Sequence, residues 1–163
     1  AKYAEEHQLP NAAFLRTRIE FIESLFATGE VAEIWITFAD PQEGKPKKRL
    51  THPLFLTRYR NILKEDGIIH LKTDSRLLYF YTMEVATANS LEVITNCEDI
   101  YGSPRSVPEE ITAIQTFYES HFLMQGIPIT YMAFRIDHQD DLVSPDWDQS
   151  PYIQSYRTIT IMK

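Results

Sequence analysis

The stretch Ile34–Leu50, IWITFADPQEGKPKKRL, sets one carboxylate, Asp40, at the end of an apolar run and follows it with Lys45, Lys47, Lys48 and Arg49 within five positions. Ile34, Trp35, Ile36 and Phe38 read as a strand, and Pro41, which has no backbone N–H for a ladder, ends it. One negative charge fixed at a rigid strand end and facing several mobile cations suits an anionic substrate whose reacting atom must sit beside a carboxylate. A second acid, Asp74, closes another apolar run, Ile68–Lys72. In doubly wound sheets the C-terminal strand ends form the ligand edge. Two acids on consecutive strands would be neighbours there, able to raise each other's pKa or to accept hydrogen bonds jointly. The competing reading is structural, with Asp40 capping the turn before Pro41 and Asp74 capping the helix that follows.

The elements that must position these groups alternate strand and helix. Ala12–Leu15 reads as a strand, Arg18–Ala27 as an amphipathic helix stopped near Gly29, and Val31–Phe38 as a strand covered on both faces. Thr51 or His52 can cap a helix with Pro53 in its first turn, a buried stripe of Phe55, Tyr59, Ile62 and Leu63, and an end at Gly67. Ile68–Lys72 is a strand, and the helix after Ser75 buries Leu77, Leu78, Tyr81 and Val85 as far as Asn89. Leu91–Thr95 is a strand, Asn96–Val107 a loop, and the S-x-x-E spacing of Ser106 and Glu109 predicts a capping box opening one helix to Gly126. Ile129–Ile136 is the last strand. Residues 1–136 thus form one α/β domain, and 137–163 an extension. That extension holds Asp137, Asp140, Asp141, Asp146 and Asp148 without a Lys or Arg among them, then a Tyr-, Ile- and Thr-rich run at Tyr152–Ile161 that suits an extra edge strand or a loosely docked tail.

Composition bounds the function classes. A chain of 163 residues with 44% hydrophobic and 24% charged residues is an ordinary globular domain. No apolar run reaches the ~18–20 residues of a membrane span and no export signal opens the chain, so the expectation is a cytoplasmic protein with no membrane partner. The lone Cys97 cannot form an intrachain disulfide and reads as packing. The five histidines are scattered without ligand spacing, so no metal site is expected. Net charge is −7, which argues against indiscriminate nucleic-acid binding, yet Lys45–Arg49, with Arg58 and Arg60 nearby, keeps a basic patch on an acidic body.

The blocks FADPQ…KPKKRL, HLKTDS and TFYESHF, in that order and over Asn11 to Ile136, resemble the bacterial tRNA (guanine-N7)-methyltransferase family. The resemblance implies a Rossmann-like class I methyltransferase fold, S-adenosylmethionine as donor, and a guanine of the tRNA variable loop as target. It implies Asp40 as the catalytic residue, also beside the cofactor, and Asp74, Thr116 and Glu119 as substrate-binding. The family's substrate-binding lysine maps onto Gly44 or Lys45, of which Lys45 is favoured, because this loop is shorter than the commonest family version. Lys47, Lys48 and Arg49 would contact phosphates, a source of affinity and register rather than of sequence information. Guanine N7 carries an in-plane lone pair, so the protein's task is positioning, and a carboxylate accepting N1–H and N2–H would push electron density into the ring.

Relatives carry a Gly-rich strand-to-helix turn before their equivalent of Asn11; this chain has five glycines, none before Gly29. The expectation is therefore an N-terminally truncated domain, starting near the helix that precedes the third strand of the order 3-2-1-4-5-7-6. Its first strand must stay unpaired, re-pair within the chain, or borrow an edge from a second copy as a homodimer. Arg18 stands where many relatives place an Asp beside the adenine, so the cofactor contact there is altered. Two rival readings are a non-catalytic RNA-binding or assembly module and a small-molecule methyltransferase, which would not need the lysines.

Overall fold

The computed structural model describes residues 2–103, 106–147, 150 and 153. Its centre is a four-stranded sheet in the order β1-β2-β4-β3, made of β1 (Val31–Thr37), β2 (Leu63–Thr73), β3 (Glu92–Cys97) and β4 (Thr130–Arg135). β1 and β2 are parallel, whereas β4 runs antiparallel to both β2 and β3, so three of the four strands share a direction. This is the 4-5-7-6 portion of the strand order that the resemblance implies, and the mixed α/β class is as expected.

Helices α2 (Pro53–Ile62) and α3 (Arg76–Ala88) cover one face of the sheet. Period-2 alternation sends Ile36, Ile69, Leu71, Met132 and Phe134 to that side, where they meet Phe55, Leu56, Tyr59, Leu78, Tyr81 and Val85 in the main core. The opposite face carries a smaller cluster, in which Cys97, Tyr131 and Ala133 pack against Ile100, Val107, Ile111 and Ile129. Cys97 is indeed a buried packing residue.

Local chemistry explains most of the boundaries. His52 caps α2, its Nδ1 accepting from Leu54 N at 3.1 Å, and Pro53 occupies the first turn. Ser75, not Asp74, caps α3 by accepting from Leu78 N at 3.2 Å. Helix α2 stops at Ile62 rather than Gly67, because Leu63 turns extended and starts β2. Gly67 has another purpose: a Cβ there would lie 2.8 Å from Leu63 Cδ2 and 2.9 Å from the Lys64 carbonyl oxygen.

Further expectations are corrected. The helix predicted from Ser106 to Gly126 is two, α4 (Glu109–Ala113) and α5 (Phe117–Met124), because Ile114 adopts an extended backbone and Thr116 caps afresh. Ser106 builds no capping box; its hydroxyl donates to Ser103 O. Val31–Thr37 is not covered on both faces: only Ile36 is buried and Trp35 is 45% exposed, since β1 is an edge strand among the described residues. Residues 12–15 form no strand, and Phe14 and Leu15 stay exposed. In the implied order two strands separate that segment from β1, and it pairs with no strand among the described residues. The segment 18–27 forms a 3-10 turn at Ile19–Ser24 in place of the predicted helix, and a short helix α1 (Lys2–Glu6) precedes it. The tail from Asp137 docks back over α2 and α3, with Leu142 and Trp147 against the main core. Most of the predicted edge strand, Tyr152–Ile161, lies outside the described residues.

Candidate active site

The parallel register pairs Thr37 with Lys72, and Phe38 N–H donates to Lys72 O at 2.9 Å. Asp40 and Asp74 each follow this rung by two residues, so both leave the same sheet edge. Phe38 reaches that point in the left-handed region, with φ +51°, a conformation that is uncommon for a bulky side chain. It turns Ala39-Asp40-Pro41 out of the plane. Asp40 is exposed, and its Oδ1 accepts from Gln42 N at 2.9 Å, a turn that fixes the carboxylate and leaves Oδ2 unpartnered among the described residues.

Asp74 lines a cavity of about 380 Å³ with Thr37, Phe38, Thr116, Tyr118 and Phe122, while Asp40 does not line it. Burial raises the Asp74 carboxyl above its ordinary pKa, partly opposed by a backbone hydrogen bond. The anticipated effect of Asp40 is not among the causes. The rings of Tyr118 and Phe122 lie 6.3 and 6.1 Å from that of Phe38, at 28° and 19°. They give the cavity an aromatic wall of the kind on which a planar base stacks. All three aromatics fall inside two of the motif blocks, FADPQ and TFYESHF, which is the signal the sequence carries for this wall.

Thr116 and Glu119 form a true capping box, with Glu119 N donating to Thr116 Oγ1 at 3.2 Å and Thr116 N to Glu119 Oε2 at 2.8 Å. Glu119 is fully buried. Its Oε1 lies 2.6 Å from Lys72 Nζ and accepts from the Tyr101 hydroxyl at 2.8 Å. Burial pushes this carboxyl up, but the bonds from Lys72, Thr116 N and Tyr101 together outweigh it and hold the group below its ordinary value. Lys72, buried as well, also donates to Ile111 O at 2.7 Å. It thereby ties β2 to the end of α4 and the start of α5. Thr116 lines the cavity, whereas the Glu119 charge is already spent inside the protein.

The basic loop divides in two. Lys45, Lys47 and Lys48 are exposed around a single 3-10 turn at Pro46–Lys48. Arg49, expected to contact phosphate, is 1% exposed and cannot do so. Its Nε donates to Pro41 O at 2.9 Å, and its guanidinium lies 4.3 Å from the Tyr81 ring centroid. Burial lowers its pKa. Arg58 and Arg60 are also used internally: Arg58 bonds Glu20 O, and Arg60 bonds Asp140 O at 2.8 Å. Arg18 pairs with Glu20 at 3.1 Å and rests over Phe21. No metal-holding cluster and no membrane-spanning helix occur among the described residues.

Comparison with known proteins follows the same lines. A family model described as "Putative methyltransferase" matches residues 1–132. A tRNA (guanine-N(7)-)-methyltransferase of Christiangramia forsetii is 52% identical over 138 residues, which are 83% of this chain and 61% of that protein. The one from Bacteroides thetaiotaomicron is 49% identical, over 85% of this chain and 54% of its own length. That of Porphyromonas gingivalis is 45% identical over 97% of this chain and 64% of the relative. The chain thus spans about three fifths of the length of these curated relatives. A strand-end acid, an exposed lysine loop, an aromatic cavity and these matches agree, and the chain belongs to the methyltransferase family whose curated members include these tRNA (guanine-N(7)-)-methyltransferases.

Proposed function

We propose that this chain is the substrate-binding portion of an enzyme that methylates guanine N7 in tRNA, acting in the cytoplasm. The observation that carries the reading is the shared edge, where Asp40, Asp74 and the aromatic cavity meet a loop of exposed lysines. S-adenosylmethionine supplies an electrophilic methyl group when bound. Asp40, exposed and with one oxygen unpartnered among the described residues, fits the cationic side of that donor.

Lys45, Lys47 and Lys48 bind backbone phosphates and set register, leaving recognition to shape and to an unstacked base. The base enters the cavity against Phe38 and Tyr118, held in a near-attack geometry. Asp40 accepts the base's N1–H and N2–H, which raises electron density at N7 as the new bond forms. Asp74 orients the base from the cavity wall, and Thr116 shapes its far side.

The test is Asp40→Ala in the full-length protein, with methyl incorporation and tRNA affinity measured separately. Methylation should fall by ~10²-fold or more while affinity stays near the parent's. Unchanged methylation removes Asp40 from the chemistry.

A further inference from the structure

We infer that the segment 137–147 is the positioning element of the basic loop, acting through Trp147 on the buried guanidinium of Arg49; this rests on the reading of the exposed lysines as phosphate contacts. Arg49 is 1% exposed, yet no carboxylate lies within ion-pair distance of it among the described residues. A buried cation in that position must be compensated by other groups. Two kinds are present. Its Nε and Nη2 donate to Pro41 O at 2.9 Å and Glu43 O at 3.4 Å, which draws the start of the loop onto its end. Two aromatic faces cover the guanidinium, Tyr81 at 4.3 Å and Trp147 at 5.4 Å, with the rings themselves edge to face at 5.3 Å.

Tyr81 belongs to α3, but Trp147 arrives from the tail, and the tail is built to bring it there. Asn89 at the end of α3 both donates to Val143 O at 2.9 Å and accepts from Val143 N at 2.7 Å. Ser144 Oγ then lies 3.1 Å from Nε2 of His52, the cap of α2 just beyond the loop. Together these contacts, each long-range in sequence, run the strap from α3 to the underside of the loop. Without the indole, water reaches the guanidinium, which then has less need of the two loop carbonyls. The lysines would remain on the chain but lose their fixed spacing, so phosphate binding would weaken with no group at the chemistry altered.

The experiment uses the full-length protein and the variants Trp147→Ala, Trp147→Phe and Arg49→Lys. Trypsin reports loop order directly, since Lys47 and Lys48 are cleavable whereas Lys45 precedes Pro46. Trp147→Ala should raise cleavage there about tenfold and weaken tRNA binding several-fold, raising KM with kcat at saturating tRNA unchanged; Trp147→Phe should restore both. Arg49→Lys, which keeps the charge and loses the planar fork, should open the loop similarly and serves if Trp147→Ala does not fold. Cleavage at the parent's rate in either variant, or failure of Phe to restore it, overturns the inference. If Lys47→Glu/Lys48→Glu leaves tRNA affinity unchanged, the phosphate reading falls, and the cleavage rates still decide whether the strap orders the loop.

Discussion

Glu119→Gln separates a structural from a ligand-binding role for the T-x-x-E motif. Glu119 Oε1 receives Lys72 Nζ and the Tyr101 hydroxyl, and Oε2 receives Thr116 N, so both oxygens face donors only. A glutamine must turn its NH2 toward one of these sites and leaves Lys72, 5% exposed, without its counter-charge. Removing one partner of a buried pair costs ~3–5 kcal/mol, and weakening the helix cap adds ~1 kcal/mol. Against a typical domain stability of ~5–15 kcal/mol that is a large share. Urea unfolding at pH 7 should show the loss at unchanged m-value, and adding Lys72→Met should recover part of it. The pH dependence has a definite sign. The folded carboxyl is held below the ordinary 4.5, so its contribution is complete above that value and disappears as pH falls through the folded pKa. The gap between parent and variant must therefore close on acidification below pH 4.5. A loss under ~1 kcal/mol at pH 7, or a gap that widens in acid, would refute the structural role and return Glu119 to the ligand.

Three further expectations concern other parts of the molecule. Gly67→Ala should cost ~1–3 kcal/mol by thermal or urea unfolding, because one of its close neighbours is the Lys64 backbone and cannot swing aside. His52 and His70 are both held below the ordinary 6.5 by burial, His52 also by Lys47 and Arg49, while Glu33 and Glu110 partly oppose the shift at His70. Stability from their neutral forms is complete above pH 6.5 and declines as pH falls, so Tm should drop between pH 7 and 5, less steeply in His52→Gln and His70→Gln. Lys47→Glu/Lys48→Glu should weaken tRNA binding in gel-shift titrations and flatten the plot of log K against log salt by about 0.7–0.9 for each phosphate no longer neutralised.

Much of the fold was legible because its signals are local. The run Ile68–Lys72 marked β2 and alternation marked β4, the stripe of Phe55, Tyr59 and Ile62 located α2, and Ser75 announced α3. The misread helix at 106–126 shows the limit. Two S/T-x-x-E spacings occur there, and only competition between them, with Ile114 extended between, decides that Thr116 rather than Ser106 builds the box. The coverage of β1 was misjudged because an apolar run cannot report what lies beside it, and the described residues leave one edge of β1 open.

For the proposed site, residue types and spacing by themselves gather the candidate groups into one stretch of chain. An acid closing an apolar strand, a proline, and a lysine cluster are covalent neighbours, and no folding step can move them apart. Which charges face outward was decided only by tertiary structure. Lys48 and Arg49 are adjacent and equally basic, yet one meets solvent while the other disappears beneath Tyr81 and Trp147, the latter contributed from nearly a hundred positions away. A side chain's charge is a local property, but its solvation depends on every element packed around it.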